Sequence, residues 1–140
     1  MTLVYFDSSA LVKLVVDEEG SDVAAALWDG CDAAVSSRLA YPEVRAALAA
    51  AARDHRIDAR SFRTAREDWE TFWSAARPVE LTATVERDAG RLADTYALGA
   101  ADAVHLASAL AIGLPDLVVA TWDRRLGEGV TSTGLRVAPA

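Results

Sequence analysis

Four acidic residues stand where the chain leaves a predicted strand or enters a predicted helix: Asp7, Glu43, Asp102 and Asp123. Asp7 and Asp123 follow short apolar runs, whereas Glu43 and Asp102 lie in the first turns of helical patterns. In a parallel α/β fold these points meet at one edge of the sheet, so we expect the four carboxylates to converge. Carboxylates held together in this way repel one another unless a cation is present.

The chemistry of such a cluster follows from its ligand atoms. Carboxylate oxygens suit Mg²⁺ or Mn²⁺, whereas zinc prefers nitrogen and sulfur. Acids that hold one or two Mg²⁺ ions are the usual device for hydrolysing phosphodiesters, because the metal lowers the pKa of a bound water and neutralises charge on the phosphate. The pattern therefore predicts a divalent-metal site for phosphodiester hydrolysis.

Helix capping is the competing explanation for each acid on its own. Acids at helix N-termini accept hydrogen bonds from free amide groups and interact favourably with the helix dipole. For any single position capping is the simpler interpretation, and only the conjunction of four favours a metal site.

The elements that carry these acids alternate between strand and helix patterns. Strands are predicted over residues 3–6, 33–36, 78–82, 117–121 and 135–137. Helices are predicted over 10–14, from 21 or 22 to about 28, from 41 to the polar connection 53–56, from 58 to 76, over 85–96 and 102–112, with a short helical turn over 124–126. The two helices joined by residues 53–56 are expected to form an αα-hairpin.

The predicted fold is an α/β three-layer sandwich, with a central parallel sheet that is doubly wound. Several strands are apolar on both faces, which is typical of parallel sheets covered by helices on both sides. The 140 residues show no repeat, low-complexity tract or linker, so one domain over 1–140 is expected.

The charge balance weakly opposes nucleic-acid binding, because acids outnumber bases 21 to 14 and the net charge is −7. Lys13 is the one lysine, so 14 − 1 = 13 of the basic residues are arginine, the better bidentate ligand for phosphate.

A cytoplasmic location is expected. Cys31 is the single cysteine and cannot form an internal disulfide, which fits a reducing compartment. The N-terminal segment lacks the basic and small-residue features of a secretory signal. The longest apolar stretch, residues 103–120, is interrupted by polar residues, glycine and proline and does not resemble a membrane span.

Four short segments that contain the acids resemble the motifs of PIN domains, particularly those of VapC-like toxins. They are FDSSALVKL at 6–14, YPEVRAAL at 41–48, DAVHLASA at 102–109 and TWDRRL at 121–126. The resemblance covers the whole chain, with the motifs in order and at family-like spacing. Each motif is weakly specific alone, and the set of four is strongly specific.

The resemblance implies an Mg²⁺-dependent endoribonuclease with a sheet of parallel strands, a homodimer, and inhibition by a cognate antitoxin protein. It assigns metal-binding or catalytic roles to Asp7, Glu43, Asp102 and Asp123. Asp7 and Asp102 are the expected direct ligands of Mg²⁺ (or Mn²⁺), while Glu43 and Asp123 act partly through water or on the nucleophile. RNA is the expected substrate.

Neighbouring polar residues are weaker candidates. Ser9 and Thr121 are expected either to hydrogen-bond the acids or phosphate, or only to cap a helix and end a strand. His105, one turn after Asp102, is either a partner of that acid or a packed core histidine. Arg124 and Arg125 are the predicted phosphate contacts.

Three more features have a plain and a functional interpretation. Lys13 either reaches an RNA phosphate or covers apolar surface with its stem. Trp122 either packs in the core or stacks on a base at the rim of the site. The helices from Tyr41 to Ala76 carry large apolar residues, Trp69, Phe72 and Trp73 among them, which we interpret as a homodimer face and part of an antitoxin groove.

Two other enzyme or signalling classes are disfavoured, and a third possibility stays open. A receiver-type phospho-acceptor domain needs a lysine beyond its last strand, whereas Lys13 lies in the first helix. A haloacid-dehalogenase-type phosphatase needs two acids spaced one residue apart, whereas Asp7 is followed by two serines. A catalytically silent PIN fold that serves as an interaction module remains the alternative.

Overall fold

Strand β1 (Leu3–Phe6) lies at the centre of a five-stranded parallel sheet in the computed structural model, which describes residues 1–140. The other strands are β2 (Ala33–Ser37), β3 (Arg77–Val79), β4 (Val118–Ala120) and β5 (Arg136–Ala138). The helices are α1 (Ser8–Val15), α2 (Ser21–Gly30), α3 (Ala40–Arg53), α4 (Ala59–Ala75), α5 (Ala83–Tyr96), α6 (Ala100–Ala111) and α7 (Arg124–Ser132).

The strand order is β3-β2-β1-β4-β5, and each neighbouring pair is parallel. The chain steps outward from β1 to β2 and β3, then returns to the other side of β1 for β4 and β5. The order therefore reverses between β1 and β4, which is where an open α/β sheet leaves a crevice at the carboxyl ends of its strands. The predicted doubly wound parallel sheet is confirmed.

The two faces of the sheet support separate hydrophobic cores, because successive strand residues point to opposite sides. Tyr5 of β1 and Val119 of β4 face the core formed with α5, α6 and α7. Val4, Phe6 and Ala120 face the second core, which is formed with α1, α3 and α4. Phe6 is fully buried, and Asp7 leaves the sheet directly after it.

Side-chain caps determine where several helices begin. Asp7, Asp58, Thr82 and Asp123 are N-caps, and each accepts a hydrogen bond from a backbone N–H in the first turn of its helix. Strand β3 is shorter than the predicted 78–82 because Thr82 caps α5 instead of extending the strand.

Helix α7 is longer than the predicted turn over 124–126. It continues to Ser132 although it contains Gly127 and Gly129, which lower helix propensity. Leu126 and Val130 of this helix are fully buried in the core, and this tertiary packing outweighs the low helix propensity of the two glycines.

Trp69 of α4 is not exposed for the interface that was predicted on this pair of helices. This side chain is fully buried within the chain's own core, where it stacks on Tyr41 and packs against Trp73. Phe72 and Trp73 are partly buried against the same core. The large residues of α4 are thus used mainly to pack this helix against α3 and α2.

None of the helices combines the length and the apolar character needed to cross a membrane.

Candidate active site

Asp7 is held at the carboxyl end of the central strand by three hydrogen bonds. Its Oδ1 accepts from the Ser9 hydroxyl at 2.7 Å and from the Ala10 backbone N–H at 2.9 Å. Its Oδ2 accepts from the Thr121 hydroxyl at 2.5 Å. Only 2% of Asp7 is exposed. Asp7 therefore caps α1 and is also oriented from β4, so capping and a site role are compatible.

Ser9 and Thr121 join the ends of β1 and β4 across the crevice. The Ser9 hydroxyl accepts a hydrogen bond from the Trp122 backbone N–H at 3.0 Å, and the Thr121 hydroxyl accepts one from the Asp123 N–H at 3.0 Å. Both hydroxyls also donate to Asp7. The predicted hydrogen bonds from these two residues to an acid are therefore present in the structure.

Burial raises the pKa of Asp7 above its ordinary value, and the hydrogen bonds from Thr121 and Ser9 oppose this effect. The carboxylate is thus placed where its negative charge is poorly solvated.

Asp102 is the third residue of α6 and is half-buried. Gly99 is the N-cap of this helix, and no side chain makes a capping hydrogen bond there, so Asp102 is not an N-cap, although it lies in the first turn, where the helix dipole favours an acid. Burial raises the pKa of Asp102, and the negative charges of Asp123, Asp7 and Glu43 raise it further. Asp102 therefore lies within electrostatic reach of the other three predicted site residues.

Glu43 is the fourth residue of α3, and its side chain is 23% exposed. Its Oε1 lies 2.6 Å from Nε2 of His105, a buried residue of α6. The other ring nitrogen, Nδ1, lies 2.7 Å from the hydroxyl of Tyr5 on β1. His105 is therefore a packed core histidine, and its ring also bridges Tyr5 and Glu43, whereas it makes no hydrogen bond to Asp102.

Sequence reasoning did not identify Tyr5 as part of the site. It lies two residues before Asp7 in a strand whose residues are apolar or aromatic, and nothing local distinguishes it from a core residue. Burial raises the pKa of Tyr5 well above its ordinary value, so its hydroxyl keeps its proton.

Asp123 caps α7, with its Oδ1 accepting from the Leu126 N–H at 2.9 Å. It is partly exposed and lines an open cleft of about 730 Å³ that also includes Trp122 and Arg124. The cleft runs along α7 toward β5, and Asp123 is the one of the four acids that lines it.

The donor chemistry of these acids fits a hard divalent cation. All four offer only oxygen atoms, and an ionised carboxylate has about four acceptor positions, of which Asp7 uses three for protein hydrogen bonds. No three of the chain's acidic, histidine or cysteine side chains lie close enough to enclose a metal ion as they stand. A cation such as Mg²⁺, which keeps several waters and uses one or two carboxylates directly, needs no closed cage.

The basic residues near the site are engaged to different degrees. Lys13 binds Glu18 and the Glu19 carbonyl oxygen, and its ammonium lies 5.1 Å from the centre of a Trp122 ring. Lys13 is therefore not directed to a phosphate. Arg125 donates to the carbonyl oxygen of Ala97.

Arg124 is the freest of the basic residues at the site. Its side chain is 92% exposed and pairs only with Glu128 on the next turn of α7. Exposed pairs of this kind are weak, so the guanidinium can turn toward a substrate at little cost.

Comparisons with known proteins agree on one family. The PIN domain family matches residues 4–128. Two proteins of Mycobacterium tuberculosis, Ribonuclease VapC45 and Ribonuclease VapC49, are each 68% identical over 140 residues, which is 100% of this chain and 97% of each relative. A solved toxin–antitoxin complex from Klebsiella pneumoniae contains a chain with the same fold. It is 19% identical, with a TM-score of 0.67 and 94% of both chains covered.

Proposed function

The chain belongs to the PIN domain family, and we propose that it is an Mg²⁺-dependent endoribonuclease, the toxin component of a toxin–antitoxin pair. The observation that carries this proposal is the position of Asp7. This buried carboxylate is held by three hydrogen bonds at the strand-order reversal, within reach of the charge of Asp102. A folded chain keeps a poorly solvated carboxylate beside others mainly where they serve a site.

In the proposed site Asp7 and Asp102 are the direct ligands of Mg²⁺ or Mn²⁺, and Glu43 and Asp123 act through water or on the nucleophile. A bound divalent cation would supply Lewis acidity at the scissile phosphate and would lower the pKa of water. Ser9 and Thr121 fix Asp7 by donating to both of its oxygens. The Asp123 backbone N–H bonds Thr121, which ties the fourth acid to the first.

Substrate RNA is proposed to lie along the cleft beside Asp123. Arg124 is exposed there and supplies a positive charge for a phosphate, while the partly exposed Trp122 presents an apolar surface at the rim. The overall charge of −7 disfavours tight nonspecific binding of RNA, so recognition is expected to depend on this local cleft and on the cation.

The direct test is RNA cleavage by the purified chain, freed of any inhibitor, with Mg²⁺, with Mn²⁺ and with excess EDTA. Cleavage is expected only with a divalent cation. Asp102→Asn should lower the rate of cleavage at least about 100-fold, because the loss of one charged metal ligand weakens transition-state stabilisation by several kcal/mol. Asp94→Asn, which removes an exposed acid of α5, is the matched control and should cleave like wild type.

Two outcomes would contradict the proposal. Undiminished cleavage in EDTA would exclude the metal mechanism. A folded wild-type chain that cleaves no RNA with either cation would instead indicate a silent PIN fold that acts by interaction.

An antitoxin protein is the proposed partner. The support is the similarity to VapC ribonucleases and the fold shared with a chain of the Klebsiella toxin–antitoxin complex. Co-expression with the neighbouring gene product should yield a complex in which RNA cleavage is suppressed. Co-purification without suppression, or no complex at all, would count against this partner.

A further inference from the structure

Three side chains, Tyr5, His105 and Glu43, are joined in a row by hydrogen bonds. They come from three elements, β1, α6 and α3. The Tyr5 hydroxyl lies 2.7 Å from Nδ1 of His105, and Nε2 of His105 lies 2.6 Å from Oε1 of Glu43. Tyr5 and His105 are 0% and 1% exposed, whereas the Glu43 side chain is 23% exposed. None of the functions assigned above to the four acids uses Tyr5 or His105.

We propose that His105 is a positioning residue, which holds the Glu43 carboxylate toward the other three acids by donating its Nε2–H, and that Tyr5 fixes the ring so that Nε2 faces Glu43. This inference rests on the proposed function, because the position of Glu43 matters only if the four acids work together.

The direction of the hydrogen bond follows from the donors and acceptors present. An ionised carboxylate can only accept, so Nε2 must carry a proton when it lies 2.6 Å from Glu43. Nδ1 faces the Tyr5 hydroxyl, which can donate or accept and therefore satisfies the ring without turning it. The two rings also meet edge to face, with centroids 5.8 Å apart and an interplanar angle of 78°.

Without this contact Glu43 would be a poorly fixed side chain. It lies in the first turn of α3 and is partly exposed, and His105 is its one hydrogen-bond partner within the chain. A long carboxylate of this kind samples several rotamers in solvent. Hydrogen bonds from outside a metal site that orient a ligand typically change metal affinity or activity by about 10–100-fold.

A pair of substitutions at His105 separates positioning from packing. In His105→Gln the side-chain amide can place an N–H near the former Nε2 position, whereas the shorter His105→Asn reaches only toward Nδ1. We expect His105→Asn to lower kcat by about 10–100-fold with little change in KM, and His105→Gln to recover a large part of it. A merely structural role predicts that both variants lose stability alike, without a selective loss of kcat.

The Glu43→Gln background tests whether His105 acts through Glu43. If it does, adding His105→Asn to Glu43→Gln should cost no further activity, because the group being positioned is already disabled. An undiminished effect of His105→Asn in that background would overturn the inference.

Tyr5→Phe provides a variant that keeps the core filled. It removes only the hydroxyl on Nδ1 and should lower kcat less than His105→Asn does. Tyr96→Phe, which removes the hydroxyl of a partly buried tyrosine without a hydrogen bond in the structure, is the matched control and should behave as wild type.

A readout that needs neither metal nor RNA comes from the imidazole nitrogen signals in the NMR spectrum of the metal-free protein. The chain has two histidines, and His55→Asn leaves His105 as the only one. Asn is suited to the positive φ of 57° at position 55. We expect Nε2 of His105 to carry a proton in the wild type. In Tyr5→Phe the fraction of rings with a proton on Nε2 should be lower. A wild-type ring with an unprotonated Nε2 would overturn the inference.

These experiments also distinguish the inference from the proposed function. A wild-type chain that fails to cleave RNA with any divalent cation refutes the function, whatever the ring signals show. A wild-type chain that cleaves RNA while His105→Asn cleaves equally well refutes the positioning role alone. Calorimetric titration with Mn²⁺ gives the same comparison for metal binding, with a loss of affinity expected in His105→Asn and a smaller one in His105→Gln.

Discussion

Asp7 and Asp102 are acids whose charged forms the fold disfavours, though their surroundings differ. Asp7 is almost completely buried and is compensated by three hydrogen bonds, whereas Asp102 is half-exposed and receives no capping bond. Burial raises the pKa of both, and for Asp102 the neighbouring acids add to the effect. Asp102 is therefore the acid at which one charge can be removed with the least damage to packing.

Asp102→Asn should stabilise the metal-free protein. The pKa of Asp102 is raised in the folded state. The stability that the Asp102 carboxyl contributes is therefore fully present below pH 3.8, its ordinary pKa, and is lost as the pH rises through its folded-state pKa. The difference in unfolding free energy between mutant and wild type should thus be near zero in acid. It should reach about 0.5–1 kcal/mol at neutral pH, a modest figure because solvent screens a half-exposed group.

Urea denaturation at several pH values in EDTA measures this difference, with Asp94→Asn as the control for removing a remote charge. Millimolar Mg²⁺ should raise the thermal midpoint of wild type and leave that of Asp102→Asn nearly unchanged, because a ligand stabilises only the state that binds it. Two results together would argue against a metal role for this acid: a wild-type thermal midpoint that Mg²⁺ does not change, and a difference in unfolding free energy that does not depend on pH.

At the residue scale the sequence could identify which acids matter but not all of their partners. Acids at strand ends and helix starts can be recognised locally, and the topology brings them to one edge. The bond between His105 and Glu43 joins residues 62 positions apart on two helices. Helical periodicity tells which face His105 occupies, but not which neighbour from another element meets that face.

At the scale of elements, the loop before α2 and the loop after β4 are packed together through one glycine and one indole. Gly20 has a φ of 91°, and a Cβ built on it would lie 2.7 Å from Nε1 of Trp122. The same indole lies beside the Lys13 ammonium, and the backbone N–H of Trp122 donates to the Ser9 hydroxyl. This contact presses the loop that carries Asp123 against α1.

Gly20→Ala should therefore destabilise the fold for two reasons. An L-residue in the left-handed region costs about 1–2 kcal/mol, and the new methyl group must also displace the Trp122 ring. Gly134→Ala is the matched control, because Gly134 has a φ of 92° with nothing within 4 Å of its would-be Cβ. Denaturant unfolding should show a larger loss at Gly20 than at Gly134. Equal losses would mean that the packing against Trp122 is easily rearranged.

The order and types of the elements could be predicted from the sequence, and their ends less well. Long amphipathic patterns such as α4 and α5 identify themselves by periodicity. The C-terminal extent of α7 could not be predicted, since Gly127 and Gly129 lie within it and the burial of Val130, which supports its second half, is a tertiary effect. Capping by Thr82 similarly shortens β3, a choice that strand propensity alone does not reveal.

For the whole molecule, the oligomeric state is the expectation that depends most on family resemblance. The aromatic residues of α4 are largely used inside the chain, and the exposed large apolar residues are Met1, Val23, Leu81, Leu110 and Leu114. We nevertheless propose the homodimer that the resemblance implies. Light scattering at micromolar concentration should give twice the 14.9 kDa mass of the chain. A mass of one chain throughout that range would contradict the dimer.

The central place of β1 has a consequence for the protein while it is still being synthesised. β1 and β2 leave the ribosome early, but the strand that completes the other side of β1 begins only at Val118. Asp102 and Asp123 are likewise translated long after Asp7 and Glu43. A nascent or truncated chain therefore carries half of the acids on an unfinished sheet. The proposed nuclease would therefore lack its complete set of acids until the segment with Asp123 has been synthesised.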